Sequence, residues 1–218
     1  MPDLKAVIVP VTPFQQNCLL LWDATTGQGT VFDPGGDFEQ VMAAVRETGM
    51  TVEQILLTHG HLDRAGGAMP LQRLLAAEGQ TVPVIGPDVR DKFLMDGIAK
   101  QAAGYGITGL ENAEPGRWLS EGEQVTAAGT AFQVLHCPGH TPGHVVFVAT
   151  SIDLAIVGDV LFRGSVGRTD FPDGDFETLA AGIREKLYTL PEDTIILPGH
   201  GPGTTVGREK RENPFVNG

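Results

Sequence analysis

The sequence of 218 residues has only two cysteines, Cys18 and Cys137. Two thiols in a chain of this length do not make the disulfide framework of a small secreted protein. Apolar runs such as 18–22 are much shorter than a membrane span. The first residues also lack a basic stretch followed by a long apolar segment, so no signal peptide is expected. These absences predict a soluble protein of the cytoplasm without a membrane partner.

Positive charge is scarce as well. Lys and Arg number 15 against 27 Asp and Glu, which gives a formal net charge of −12. Nonspecific nucleic-acid binding depends on neutralising phosphates, so no nucleic-acid partner is expected. The hydrophobic fraction of 41% and the charged fraction of 19% are those of a globular protein. The length predicts one domain, 1–218, with a sizeable core.

Glycine and proline are frequent, with 29 and 15 residues, and they divide the chain into short segments. Helices are predicted at 37–49, 71–77, 87–103 and 175–188, with Asp37 and Asp175 as N-caps of the first and last. Apolar runs predict strands at 6–11, 18–22, 30–32, 52–57, 81–85, 124–126, 132–135, 145–148, 154–157 and 195–197. This mixed order favours two sheets packed face to face with helices outside, rather than a doubly wound parallel sheet.

One loop concentrates metal-ligating side chains. His59, His61 and Asp63 alternate directly after the strand predicted at 52–57. An extended backbone turns alternate side chains the same way, so the three face one point. Imidazole and carboxylate are ligands that borderline divalent metals prefer. The alternative is a polar surface loop without a ligand.

Similar side chains recur after other predicted strands. His140 and His144 follow the strand at 132–135, Asp159 follows that at 154–157, and His200 follows that at 195–197. Each lies in a loop rich in glycine or proline. Functional residues commonly lie on loops above a rigid scaffold, so we expect a shared rim.

The order and spacing of these motifs resemble the metallo-β-lactamase superfamily, especially its small members similar to glyoxalase II (hydroxyacylglutathione hydrolase). The resemblance runs nearly end to end. It implies an α/β fold, an αββα sandwich of two mixed β-sheets with helices on both outer faces. It also implies that the helical C-terminal glutathione-binding region is absent, because only 18 residues follow His200. The motifs are Phe32-Asp33-Pro-Gly-Gly, the loop 58–67, Pro138-Gly-His-Thr-Pro-Gly-His, Gly158-Asp159, Gly167-Arg-Thr-Asp-Phe171 and Pro198-Gly-His200.

The resemblance also implies a set of ligands. His59, His61 and His140 would bind a first metal ion, Asp159 would bridge to a second, and Asp63 and His200 would complete the second site. The implied cofactor is one or two zinc ions, with iron or manganese as alternatives. Asp63 and Asp159 are the expected catalytic residues.

Arg64 departs from the pattern, because the family has a histidine directly after the aspartate. A guanidinium is protonated at any working pH and has no lone pair for a metal. We expect the second site to be weak or empty, with Arg64 near the metal or paired with Asp63. The alternative is that Arg64 turns to solvent and two ions bind.

Further residues are expected around the metals. The resemblance gives Asp33 a supporting role behind the metal loops. Arg163 and Arg168 could hold a substrate carboxylate, although Arg168 could equally fix Asp170 or its own loop. For His144, the sequence leaves a ligand-orienting role and a structural role open.

Two residues beside these motifs are expected to be structural. His136 opens a loop after a strand, and Cys137 is expected to be a buried small hydrophobe rather than a nucleophile.

The predicted function is a metal-dependent hydrolase of thioesters, most specifically of a 2-hydroxyacyl-glutathione of the S-lactoylglutathione type, acting through a metal-bound hydroxide. The expected partner is therefore a small-molecule thioester. Two alternatives stay open. One is a mononuclear iron persulfide dioxygenase, which the segment 167–171 also resembles, and the other is a metal-binding protein without activity, disabled by Arg64.

Overall fold

A computed structural model describes residues 2–218. In the N-terminal half a five-stranded sheet forms, in which antiparallel pairing from β1 to β3 gives way to parallel pairing from β3 to β5. Its strands, in spatial order, are β1 (Leu4–Val11), β2 (Gln16–Asp23), β3 (Gln28–Phe32), β4 (Thr51–Leu56) and β5 (Val84–Ile85).

The C-terminal half forms a six-stranded sheet in the order β13-β12-β9-β8-β7-β6. Only β9 and β12 pair in parallel, and the other neighbours are antiparallel. The strands are β6 (Gln124–Ala127), β7 (Thr130–His136), β8 (Val145–Ala149), β9 (Leu154–Gly158), β12 (Ile195–Pro198) and β13 (Thr204–Thr205), and a separate hairpin pairs β10 (Leu161–Phe162) with β11 (Ser165–Val166).

Helices connect the strands of both sheets. They are α1 (Phe38–Thr48), α2 (Leu62–Ala65), α3 (Ala68–Ala77), α4 (Lys92–Met95), α5 (Ile98–Gly104), α6 (Phe176–Gly182) and α7 (Val206–Glu212). A π-helical turn, Ile183–Leu187, extends α6. No helix within residues 2–218 is both long and apolar enough to cross a bilayer.

The two-residue period of the strands produces the layers. In β2, Leu19 and Leu21 face the opposite sheet, where Phe132 and Phe147 lie, while Leu20 belongs to the cluster beneath the helices. The outer face of the first sheet packs on α1, α3 and α5, and that of the second packs on α6 and α7. The predicted αββα sandwich of two mixed sheets is therefore confirmed.

Two local predictions are wrong. The stretch 87–103 is not one helix, because a 3-10 turn, Val89–Asp91, precedes two short helices. Asp37 does not cap α1 through its side chain. It has a φ of 44° and its carboxylate accepts the Thr12 N–H instead. The cap at Asp175 is confirmed, because that side chain accepts the Thr178 N–H.

Candidate metal centre

The histidine loop begins where two parallel strands end side by side. β3 leads into Asp33 and β4 leads through Leu57 into Thr58. Both the backbone N–H and the hydroxyl of Thr58 donate to the Asp33 carboxylate, at 2.8 and 2.7 Å. Asp33 is buried, and burial raises its pKa to about 6. Asp33 thus supports the loop from behind, in the position expected from the sequence.

His59, His61 and His140 converge, each with a nitrogen within 4.8 Å of the others. His61 Nδ1 lies 3.0 Å from His140 Nε2. The Oδ2 atom of Asp159 lies 3.5 Å from His140 Nε2 and 3.9 Å from His59 Nε2. Three nitrogens and one carboxylate oxygen form a donor set typical of zinc and other borderline divalent metals.

The environment of His59 fits a bound metal ion. The residue is fully buried, and its Nε2 atom has no hydrogen-bond partner among residues 2–218. A buried polar atom without a partner costs about 1–3 kcal/mol, which an ion at this point would offset. The residues present therefore fit a metal ion at the three histidines.

Burial also sets the protonation of these ligands. It lowers the pKa of His59 well below its usual value, and with the neighbouring His140 it lowers the pKa of His61 to about 4. Both rings are neutral at neutral pH, so their lone pairs are free for a metal.

Hydrogen bonds behind the rings set their orientation. His140 Nδ1 donates to the backbone carbonyl of Arg168 at 2.7 Å, so the Nε2 lone pair faces the centre. His144 stacks on His59 with ring centroids 4.5 Å apart, and its Nε2 accepts the Asp159 N–H at 3.0 Å. Of the two roles left open for His144, this geometry supports the orienting one.

Asp63, Asp159 and His200 form a second convergent group. Asp63 lies in α2, Asp159 follows β9, and His200 follows β12. His200 Nε2 lies 3.4 Å from Asp63 Oδ2 and 3.7 Å from Asp159 Oδ2. All six residues expected from the sequence therefore meet at one edge of the sandwich.

Arg64 lies fully buried beside this second group. One terminal nitrogen donates to Gln16 Oε1 at 2.6 Å and to the Gly199 carbonyl at 2.9 Å. The other donates to Asp159 Oδ1 and lies 3.7 Å from Asp63 Oδ2. The expected pairing with Asp63 is thus secondary to that with Asp159, and the alternative of a solvent-facing side chain is wrong.

The guanidinium also governs the neighbouring carboxylates. Burial, the largest single influence, would raise the pKa values of Asp63 and Asp159, but the charge of Arg64 and the neighbouring histidines together outweigh it and hold both below their usual value. Both carboxylates are therefore ionised at neutral pH.

Asp91 is a site residue that the sequence did not indicate. Its buried carboxylate accepts the Gly60 N–H at 2.8 Å, between His59 and His61. It also accepts the Thr141 hydroxyl at 2.7 Å and the Gly143 N–H. Asp91 thus ties the loop of His59 and His61 to the loop of His140. No motif marks it, because it lies in the stretch that periodicity assigned to a helix.

The two candidate substrate-binding arginines, Arg163 and Arg168, differ in their position relative to the cleft. Arg163 is exposed in the β10–β11 turn and is outside the set of residues lining the cleft. Arg168 lines the cleft, but both its Nε and Nη2 donate to Asp170 at 2.7 Å. Its guanidinium also lies 4.2 Å from the centroid of the Phe171 ring. The alternative in which Arg168 fixes its own loop therefore describes the structure.

A cleft of about 910 Å³ opens above the convergent side chains. His61, Asp63, His140, Asp159 and His200 line its floor. Its walls include five aromatic side chains: Phe14, Phe93, Tyr105, Phe162 and Phe171. Mostly apolar walls with a few polar groups on the floor are typical of a small-molecule site.

The remaining candidates lie outside the centre. His136 contacts Arg90 and the Pro142 carbonyl. Cys137 is buried, and burial raises the pKa of its thiol to about 12, so it is no ready nucleophile.

Comparison with known proteins identifies this arrangement. Residues 11–200 match the profile described as the metallo-beta-lactamase superfamily. The chain belongs to this superfamily. The resemblance inferred from the histidine loop and its companion motifs is confirmed, and the metallo-beta-lactamase fold and the convergent His and Asp side chains identify a divalent-metal site.

Relatives within the metallo-beta-lactamase superfamily match over almost their whole length. Hydroxyacylglutathione hydrolase GloC of Haemophilus influenzae is 46% identical, over 96% of this chain and 97% of that protein. Among solved structures, the B3 metallo-beta-lactamase BLEG-1 is 32% identical with a TM-score of 0.86, covering 98% of this chain and 100% of that one. TTHA1623 in a di-iron-bound form is 39% identical with a TM-score of 0.83, covering 96% and 100%.

Proposed function

We propose that the protein is a metal-dependent thioester hydrolase whose substrate is a 2-hydroxyacyl-glutathione of the S-lactoylglutathione type. The observation that carries the proposal is the buried His59 Nε2, which has no hydrogen-bond partner within the described residues and lies close to nitrogens of His61 and His140 below an open cleft. The identity of 46% with a hydroxyacylglutathione hydrolase supports the substrate class.

His59, His61, His140 and Asp159 would hold the ion. When bound, a divalent ion supplies a Lewis acid that polarises the thioester carbonyl and lowers the pKa of water. Zinc is the proposed metal, because three imidazoles and a carboxylate suit it, and manganese and iron suit the same donors. The di-iron form of TTHA1623 makes iron the first alternative to test.

Asp63 and His200 complete the proposed reaction. The Asp63 carboxylate lies on the cleft floor and is ionised, so it can accept a proton from the attacking water. His200 Nε2, 3.4 Å from Asp63 Oδ2, orients that carboxylate. The leaving thiolate needs little assistance, since thiols have pKa values of about 8.5. The aromatic walls hold the substrate and exclude water from the carbonyl.

The place of action is proposed to be the cytoplasm. Both cysteines are free thiols, as is usual in a reducing compartment.

The decisive experiment measures S-lactoylglutathione hydrolysis by protein loaded separately with zinc, manganese and iron. We expect hydrolysis that chelator abolishes and added metal restores. His59→Ala should lose most of the metal and the activity. His136→Ala is the matched control, because it also removes a histidine beside a strand end but leaves the convergent group intact. Hydrolysis that survives complete metal removal would contradict the proposal.

An iron dioxygenase acting on glutathione persulfide is the second candidate. Non-haem iron is commonly bound by two histidines and one carboxylate. The centre can supply this donor set from two of His59, His61 and His140 together with Asp159. Oxygen consumption by the iron-loaded protein on glutathione persulfide, without thioester hydrolysis, would establish it. Metal binding without either reaction would point to the non-enzymatic alternative.

A further inference from the structure

A buried cation stands beside the ligands of the second convergent group. Arg64 is fully buried, and its guanidinium contacts Asp159 Oδ1, Gln16 Oε1 and the Gly199 carbonyl. We propose that Arg64 replaces the positive charge of a second metal ion, so that this chain binds one ion, at His59, His61, His140 and Asp159. The inference rests on the proposed function only for the position of that first ion.

The two carboxylate oxygens of Asp159 face different partners. Its Oδ1 atom accepts from Arg64, while its Oδ2 atom faces His140, His59 and His200 at 3.5, 3.9 and 3.7 Å. One oxygen therefore remains for metals. A carboxylate whose charge is shared with a guanidinium is a weaker donor to a second ion than a free one.

The charge balance favours one ion. Counted over the convergent side chains and Arg64 alone, with the histidines binding the metal as neutral rings, Asp63 and Asp159 contribute two negative charges and Arg64 one positive charge, so this group is singly negative. One divalent ion makes it singly positive, and a second would make it triply positive. Repulsion between Arg64 and a second ion is poorly screened, because the guanidinium is sealed from solvent.

Arg64 is held too firmly to move aside. Its acceptors come from β2, from the loop after β9 and from the turn after β12. The Gly199 backbone packs so closely that a Cβ there would lie 2.6 Å from Arg64 Nη2. Displacing the guanidinium would leave the buried Gln16 amide oxygen and a carboxylate oxygen without this donor.

The number of donor atoms, taken by itself, favours two bound ions. Asp63, Asp159 and His200 still place three donor atoms within 4.8 Å of one another, as a second ion would require. A relative of 39% identity was solved in a di-iron form. The positions of the donor atoms thus favour two bound ions, whereas the charge of Arg64 favours one.

The test is metal stoichiometry, measured by elemental analysis and by calorimetric titration of the metal-depleted protein with zinc and with cobalt. We expect one ion per wild-type chain, and any second binding event about 100-fold weaker. Arg64→His, which removes the charge and adds a donor, should raise the stoichiometry toward two. Arg46→His is the matched control, because Arg46 is exposed on α1 and should leave the value at one.

The measured stoichiometries distinguish one bound ion from two. Two tightly bound ions in the wild type would overturn the inference, as would a folded Arg64→His variant that still binds one. If Arg64→His fails to fold, Arg64→Gln decides, because it removes the positive charge and leaves Asp63, Asp159 and His200 as donors. A rise in stoichiometry toward two supports the inference, and a value that stays at one overturns it. One bound ion in a protein that hydrolyses no thioester would support this inference and refute the proposed hydrolase.

Discussion

Asp91 shows how much of the centre depends on a single carboxylate outside the ligand set. It accepts hydrogen bonds from Gly60, Thr141 and Gly143, which lie in the two loops that carry the histidine ligands. Neither loop belongs to a helix or strand, so the distance between them depends on such bonds. Burial raises the pKa of Asp91, but its three donors favour the charged form.

We predict that Asp91→Asn weakens metal binding by about 10- to 100-fold, since the amide turns one acceptor into a donor facing a donor. A competitive zinc chelator titration measures the change. Asp96→Asn is the control, because Asp96 is exposed and pairs with Lys92 on the surface. Unchanged zinc affinity in Asp91→Asn would show that the loops keep their separation without this carboxylate.

Cys137 provides a prediction about pH. Burial raises its pKa to about 12 from an ordinary value of 9.0, so the reactive thiolate is rare at neutral pH. Alkylation of the native protein by iodoacetamide should be slow at neutral pH and should accelerate as pH rises toward 12 or on unfolding. The pKa of this thiol is higher in the folded than in the unfolded protein. Its contribution to the free energy of unfolding is therefore fully present below pH 9 and is lost as the pH rises through about 12. Mass spectrometry of timed samples measures the labelling, and rapid labelling of the native chain at neutral pH would contradict the prediction.

At the scale of elements, the segment from β10 to α6 serves the centre in two ways. Its backbone carbonyl at Arg168 accepts from His140, which orients a ligand. Its side chains Phe162, Val166 and Phe171 line the cleft. Glu209 of α7 fixes the hairpin by accepting the Gly164 N–H at 2.8 Å.

The two roles can be separated at Arg168. Arg168→Ala keeps the carbonyl but removes the guanidinium over Phe171, whose ring lies 4.9 Å from that of His61. We predict unchanged metal content and a KM for acyl-glutathione raised about two- to five-fold, matching the 0.5–1 kcal/mol of an exposed cation–π contact. Arg163→Ala, outside the cleft lining, should change neither quantity. Equal effects of the two substitutions would rule out a specific role for Arg168.

At the scale of the whole molecule, the core between the sheets holds the strand ends in place. Phe32 of the first sheet contacts Phe147 and Phe132 of the second, with ring centroids 5.5 and 6.3 Å apart. Asp33 follows Phe32 directly, so this packing also positions the base of the histidine loop.

We predict that Phe147→Ala lowers the free energy of unfolding by about 3–5 kcal/mol, because it opens a cavity in a close-packed layer. Urea denaturation followed by circular dichroism measures the loss. Phe215→Ala is the control, since that side chain is 54% exposed and should change stability by about 0.5 kcal/mol or less. A loss below about 1 kcal/mol for Phe147→Ala would mean that the layer closes around the gap.

The sequence alone was sufficient for the family and, through that resemblance, for the sandwich and the six convergent residues, because the motifs that carry the resemblance are local. Gly/Pro loops after strands mark the positions of His59, Asp159 and His200. The presence of arginine at position 64 was equally visible, together with its inability to bind a metal.

The tertiary structure decided what those residues touch. Arg64 meets Asp159, Gln16 and Gly199, which are 95, 48 and 135 positions away, and no local pattern encodes such contacts. The role of Asp91 and the break in the helix predicted over 87–103 have the same origin. Hydrogen bonds between Asp91 and two loops distant in sequence accompany a 3-10 turn at this position, and the local periodicity of the segment does not encode those bonds. Local preferences determine which elements form, whereas long-range packing and charge pairing determine which side chains share a site.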